Sequence, residues 1–123
     1  ITDSSKTKTG MVLGTPSYMS PEQLAGKKVT GQSDIFSLGV MLFQMVTGQL
    51  PFTGDSMAAL MYKIANEKHP RPDTINPDIT RCVTVIINRS MDKDVTKRYQ
   101  RGKEMVDDIN KCFKIMAVEG KAK

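Results

Sequence analysis

Few side chains in this sequence have a type and spacing that could do chemistry unaided. It holds two cysteines and one histidine in 123 residues. Cys82 and Cys112 lie far apart, each inside an apolar helical pattern, so two buried thiols in a reducing compartment are expected in preference to a disulfide. His69 stands alone in a proline-rich loop, which leaves no tetrahedral zinc set. Asp34 is a single acid at the mouth of the most apolar run. Its plainest role is that of a helix-start acid, favoured by the helix dipole by about 0.3–1 kcal/mol. The net charge of +5 would suit an acidic partner. The lysines are scattered, however, and read as solubility. A nucleic-acid binder is disfavoured because no aromatic residues interleave the basic ones and no binding motif is present.

The element that must position these groups runs from Asp34 to Gly48. Only Ser37, Gly39 and Gln44 interrupt the apolar residues between Ile35 and Val46. Those residues go all the way round a helix, so the helix is expected to be buried on every side. About 12 residues of helix reach ~18 Å against ~30 Å of hydrocarbon, too short for a membrane span. No signal peptide or transmembrane segment is seen. Thr30 or Ser33 can cap the start of this helix, and Gly48 can end it in the left-handed conformation.

Other elements follow from local signals. Residues 1 to 19 are rich in Ser, Thr, Lys and Gly and lack helical periodicity, which predicts a mobile loop. Ser20-Pro21-Glu22-Gln23 is a helix start with an N-cap, a first-position proline and a capping box, and Gly26 keeps that helix short. Lys27 to Gln32 is a polar linker. Asp55 or Ser56 caps a helix reaching about Glu67, with Met57, Leu60, Met61 and Ile64 on one stripe. Prolines prevent continuous helix from His69 to Pro77. Asn76-Pro77 is expected to restart a helix with Ile79, Val83, Ile86, Ile87 and Met91 on one face. Asp92 to Tyr99 is a charged turn. The last helix is expected from about Arg101 to Val118, with Met105, Ile109, Cys112, Phe113 and Met116 inward. Nine methionines make the core adaptable.

Four stretches, Gly14 to Glu22, Asp34 to Gly39, Gly48 to Phe52 and Asp94 to Tyr99, together resemble the serine/threonine protein kinase family, in its bacterial eukaryotic-like branch. Gly14-Thr15-Pro16-Ser17-Tyr18-Met19-Ser20-Pro21-Glu22 is similar to the end of the activation segment, with Ser20 replacing Ala in the closing Ala-Pro-Glu. Asp34-Ile35-Phe36-Ser37-Leu38-Gly39 resembles the Asp-x-Trp-Ser-x-Gly start of the central helix, with Phe36 in the Trp position. Gly48-Gln49-Leu50-Pro51-Phe52 is similar to the Gly-x-x-Pro-Phe turn. Asp94-Val95-Thr96-Lys97-Arg98-Tyr99 resembles the Asp-Pro-x-x-Arg-Pro turn, with both prolines replaced.

The resemblance implies an all-α fold, the helical half of the kinase large lobe packed round a buried central helix. Residues 1–19 would be the activation segment and substrate-docking loop, and 20–123 the helical C-terminal subdomain. Thr15 would be an accessory contact to the catalytic aspartate. Gly14, Thr15, Pro16, Ser17 and Tyr18 would receive the substrate, and Thr7 and Thr9, with Lys6 and Lys8 as neighbours, would be phosphorylated. A phosphate there adds about −1.5 to −2 charge and orders the loop on basic groups. Asp34 would accept backbone N–H groups of the catalytic loop, and Glu22 would form a buried ion pair with Arg98. The Gly-rich loop, strand lysine, catalytic-loop Asp and Asn and the Asp-Phe-Gly acid are not in this sequence, so no catalytic residue and no metal ligand is expected within it.

ATP and magnesium are thus implied only for a longer protein that transfers the γ-phosphate to protein Ser or Thr. The opening on Ile1 in polar sequence reads as the start of an excised, inactive piece. Its expected partners are a protein substrate and the upstream half of the kinase. A cytoplasmic location without nucleic-acid or membrane contact is expected, together with oligomerisation through exposed apolar surface. The alternative is a non-catalytic helical interaction module, a pseudokinase remnant.

Overall fold

Helix caps divide the chain. The computed structural model describes residues 15 to 122, and the side chains of 16 to 119. A 3-10 turn, Thr15–Tyr18, leads into α1, Pro21–Leu24. The Ser20 hydroxyl accepts from the Gln23 N–H, and the Gln23 side chain accepts from the Ser20 N–H at 2.9 Å, which closes a capping box. Helix α2, Gly31–Thr47, begins at a Thr30 N-cap and ends at Gly48, whose φ of 77° is the left-handed conformation a glycine adopts without strain. Ser56 caps α3, Met57–Asn66, through the Ala59 N–H. The short α4, Pro72–Ile75, places Pro72 at its first position. Helices α5, Arg81–Ser90, and α6, Gly102–Ala122, complete the fold. No strand occurs among the described residues, and the architecture is all-α.

Two differences concern boundaries. Asn76-Pro77 does not start α5. Asn76 instead ends α4, accepts from the Asp78 N–H, and sends its amide to the Val46 carbonyl at 2.9 Å. It therefore satisfies an end carbonyl of α2, and α5 starts four residues after Pro77, after the Thr80 cap. On α6, Met105 and Cys112 are buried as expected, but Phe113 is 64% exposed and Met116 is also exposed. The body of the fold lies under the first half of this helix only.

Phe36, Val40 and Phe43 of α2 are fully buried, in one cluster with Phe52, Ile64, Ile87 and Met91. Pro51 and Phe52, from the turn after α2, therefore close the core rather than line a surface. The all-round burial expected for α2 is only partly realised. Leu38 and Met41 are exposed and Met45 is 74% exposed, so one apolar face has no partner among the described residues. On the opposite face α2 meets α5 closely enough that a Cβ added to Gly39 would lie 2.7 Å from the Ser90 Cβ and 2.8 Å from the Met91 Cγ.

The expectation of two free thiols is incorrect. Cys82 of α5 and Cys112 of α6 form a disulfide, with Cα atoms 5.6 Å apart. Ser90 at the end of α5 meets Met105 near the start of α6, so the two helices run antiparallel and bring residues distant in sequence face to face. In the chain-entropy account, closing a loop with a sequence separation of 30 contributes about 2–4 kcal/mol. Among the described residues no helix is long and apolar enough to cross a membrane.

The α2–α5 contact makes the first testable outcome. Gly39→Ala should destabilise the chain by about 1–3 kcal/mol through overpacking. Gly31→Ala, where an added Cβ meets nothing within 4 Å, should leave stability unchanged or raise it. Thermal unfolding of the two variants beside the unaltered chain measures both, and equal melting temperatures would remove the close-packing account.

Candidate functional site

Arg98 is the largest side chain that the fold buries completely, with a relative exposure of 0%. A guanidinium does not deprotonate in a protein, so its donors must be satisfied in place. The turn before α6 supplies the position. Asp94 anchors that turn by accepting from the backbone N–H and hydroxyl of Thr96. This aims Arg98 inward while Lys97 stays exposed. Its Nη1 donates to Glu22 Oε2 at 2.6 Å and to the Gln32 carbonyl at 2.8 Å. Nη2 donates to Glu22 Oε1 at 3.2 Å, and Nε to the Asp92 carbonyl at 2.9 Å. The guanidinium carbon sits 5.1 Å from the centre of the Phe36 ring. Arginine suits this place because its planar fork meets both carboxylate oxygens at once.

Glu22, with its side chain 11% exposed, also accepts from the Ser33 hydroxyl at 2.9 Å. Burial pushes the Glu22 carboxyl up, but hydrogen bonds from Arg98, the backbone and Ser33, with the Arg98 charge, outweigh it. The net effect holds the group below its ordinary value of 4.5. One carboxylate thus joins α1, the first turn of α2 and the turn before α6.

The loop ahead of α1 rests on α2. The Tyr18 hydroxyl donates to Gln44 Oε1 at 2.6 Å, and the Ser37 hydroxyl donates to the Tyr18 carbonyl. Ser17 is buried and Pro16 half-buried. Of the residues expected to receive a substrate, Pro16, Ser17 and Tyr18 are therefore in the turn seated against α2. Thr15 contributes its backbone to the 3-10 turn. Gly14 and the candidate phosphorylation sites Thr7 and Thr9 lie outside the described residues. Asp34 is exposed on the first turn of α2 and is not drawn into the Glu22–Arg98 cluster.

Several members of the site had no signal in the sequence for the part they play in it. Ser33, expected only as a helix cap, accepts from the Thr30 N–H and also donates to Glu22, and Gln32 and Asp92 give Arg98 only backbone carbonyls, which any residue could supply. Tyr99, next to Arg98, is fully buried and donates to Asp108 at 2.7 Å. Burial and that carboxylate push its hydroxyl up, so it remains a donor. The Lys93 amine donates to the Ile64 carbonyl at 2.6 Å and lies 4.4 Å from the Phe52 ring centre. Burial, together with the Arg98 charge, pushes it down to about 8. Among the described residues no group of three or more His, Cys, Asp or Glu side chains could hold a metal ion. The described residues do not fit a magnesium–nucleotide group.

Two outcomes follow from this cluster. Arg98→Ala should cost roughly 3–5 kcal/mol because it strands a buried carboxylate, while Lys97→Ala should stay within about 0.5 kcal/mol; equal shifts in melting temperature would refute the assignment. The second outcome is a pH dependence. Folded Glu22 binds its proton less readily than unfolded Glu22, so its contribution is complete above pH 4.5 and is lost as pH falls through the lower folded value. Glu22→Gln should flatten this acid limb of the stability curve in urea titrations, and an unchanged limb would show that Glu22 is not its source.

The chain matches the protein kinase domain family over residues 2–112. It is 40% identical over 109 residues to the serine/threonine-protein kinase PksC of Streptomyces coelicolor, covering 89% of this chain and 19% of that protein. It is 37% identical over 107 residues to the serine/threonine-protein kinase PrkC of Bacillus subtilis, covering 87% of this chain and 16% of that protein. With PknA of Corynebacterium glutamicum the identity is 42% over 99 residues, covering 80% and 20%. The chain thus spans a fifth or less of the length of these relatives. Among solved structures it is similar to the twitchin kinase region of C. elegans, with a TM-score of 0.64 and 24% identity, covering 69% of this chain and 15% of that one. At that identity the likeness speaks to the fold.

Proposed function

The chain belongs to the protein kinase domain family, and on that premise we propose that it is the segment of a serine/threonine protein kinase that runs from the activation segment to the last helix. The observation that carries this reading is the Glu22–Arg98 pair, which ties the Ser-Pro-Glu segment to the turn before α6 across 76 positions of sequence. In this reading residues 1–19 are the activation segment and substrate-docking loop, and 20–123 are the helical subdomain of the large lobe. The longer protein transfers the ATP γ-phosphate to Ser or Thr of a protein substrate. Phosphoryl transfer is governed by positioning and electrostatics, and this segment supplies positioning.

The seat of Tyr18 on Gln44 supports a role for Pro16 to Tyr18 in receiving the substrate residue after the acceptor, and the resemblance adds Gly14 and Thr15 to that set. Phosphate on Thr7 or Thr9 would set the order of the loop in front of that platform. Thr15 and Asp34 contact the catalytic loop of the preceding part of the domain. The exposed stripe of Leu38, Met41 and Met45 is covered by that part, or by a second copy when the segment stands alone. The protein works in the cytoplasm, with its ATP and magnesium held outside this segment.

Full-length protein incubated with labelled ATP and magnesium should phosphorylate itself on Thr7 or Thr9 as well as a protein substrate, and the double Thr→Ala variant should lose most of that activity. The isolated chain should show no stoichiometric micromolar binding of ATP–magnesium by calorimetry. Absence of transfer by the full-length protein would count against the enzyme and for a helical interaction module.

A further inference from the structure

The disulfide between α5 and α6 is not sealed inside their interface. Both cysteines line a groove of about 470 Å³, with Val85 and Ile115 as apolar lining. Arg81 and Lys111 line the same groove, as do Asp108 and Glu119, so it presents both signs of charge. Of the two cysteines, Cys82 is half-buried and Cys112 is buried. Cys112 also borders an apolar cavity of about 220 Å³ that separates Phe113 and Met116 from Leu42 and Val46 of α2. Residues 113–119 of α6 are all exposed. Cys112 is therefore the last buried residue of α6 among those whose burial is described, and the disulfide ties it to α5.

We propose that Cys82–Cys112 is a thiol-exchange site for a small thiol carrying both ammonium and carboxylate groups, and that its opening releases the second half of α6. The incoming thiolate attacks the Cys82 sulfur, forming a mixed disulfide there. The bond to Cys112 breaks, and Cys112 leaves as a thiolate that takes a proton from water. A second small thiol attacks the mixed disulfide, which frees Cys82 as a thiol and carries the first thiol away as the small-molecule disulfide. Two small thiols thus supply the two electrons, and the same steps in reverse close the bond again. The charged lining of the groove selects the thiol, since Arg81 and Lys111 pair with carboxylates and Asp108 and Glu119 with an ammonium group. The site is independent of the kinase reading, because it requires only the geometry of α5 and α6.

Reduced glutathione is the probe, applied to the native chain near neutral pH. Peptide mapping after acid quenching should find a transient glutathione adduct on Cys82, followed by two free thiols. Hydrogen exchange of the amides after Cys112 should then be faster by about tenfold or more, with the α2 amides unchanged. Arg81→Ala, at an exposed position, should slow the reaction with glutathione and not that with uncharged 2-mercaptoethanol. Adducts chiefly on Cys112, reduction only in urea, or unchanged exchange in α6 would overturn the proposal. Equal glutathione rates with and without Arg81 would overturn the class of thiol assigned to it.

Discussion

A permanent positive charge lies where no water reaches it, and much of this fold is arranged around that constraint. Arg98 cannot shed its proton, so burial is tolerable only if its donors find acceptors. The acceptors come from three directions: the Glu22 carboxylate, the Gln32 carbonyl in the first turn of α2, and the Asp92 carbonyl of its own turn. Each can be in place only if the element carrying it has ended or begun at the right residue. The Ser20 capping box fixes Glu22 in the first turn of α1, and the Thr30 cap fixes Gln32 and Ser33 in the first turn of α2. Caps that would elsewhere be worth about 1 kcal/mol here also aim ligands at a charge.

The parts of this arrangement that were legible in the sequence are those encoded in one residue type at one place. Ser20, Pro21 and Gln23 announce α1, and Gly48 announces the end of α2, because few other residues satisfy those backbone requirements. Glu22 and Arg98 could be paired only through the kinase resemblance, since nothing local connects them. The contributions of Gln32 and Asp92 were not legible, because a carbonyl has no residue identity. Asn76 was misread for a related reason. Asn-Pro is an ordinary helix opening, but here the Asn76 amide is used by the end of α2, a tertiary demand that overrides the local one. The disulfide escaped detection because helical periodicity places a residue on a face without saying which helix it faces.

Periodicity also overstated burial. The apolar residues of α2 do surround the helix, yet Leu38, Met41 and Met45 meet solvent in this chain. The two observations agree if the sequence of α2 is suited to neighbours on every side while the described residues leave the Leu38, Met41 and Met45 face uncovered. Phe113 and Met116 of α6 border the same apolar cavity as Leu42 and Val46, so the exposed surfaces of the two helices form one continuous region. A surface of that kind indicates an unfilled contact more than a loose core.

The separation of Glu22 from Arg98 has a kinetic meaning. Contacts between residues close in the chain cost little loop entropy and form early, whereas a pair 76 positions apart must wait for the intervening chain to be organised. Helices α5 and α6 and the turn between them can assemble locally, with Arg98 near the middle of the ring that the disulfide closes. The guanidinium is then waiting, three acceptors short, when α2 docks and the segment with Glu22 follows. By the same logic the Ser20–Glu22 segment is the last contribution to the buried charge that folding can bring into place, and its arrival completes the set of acceptors.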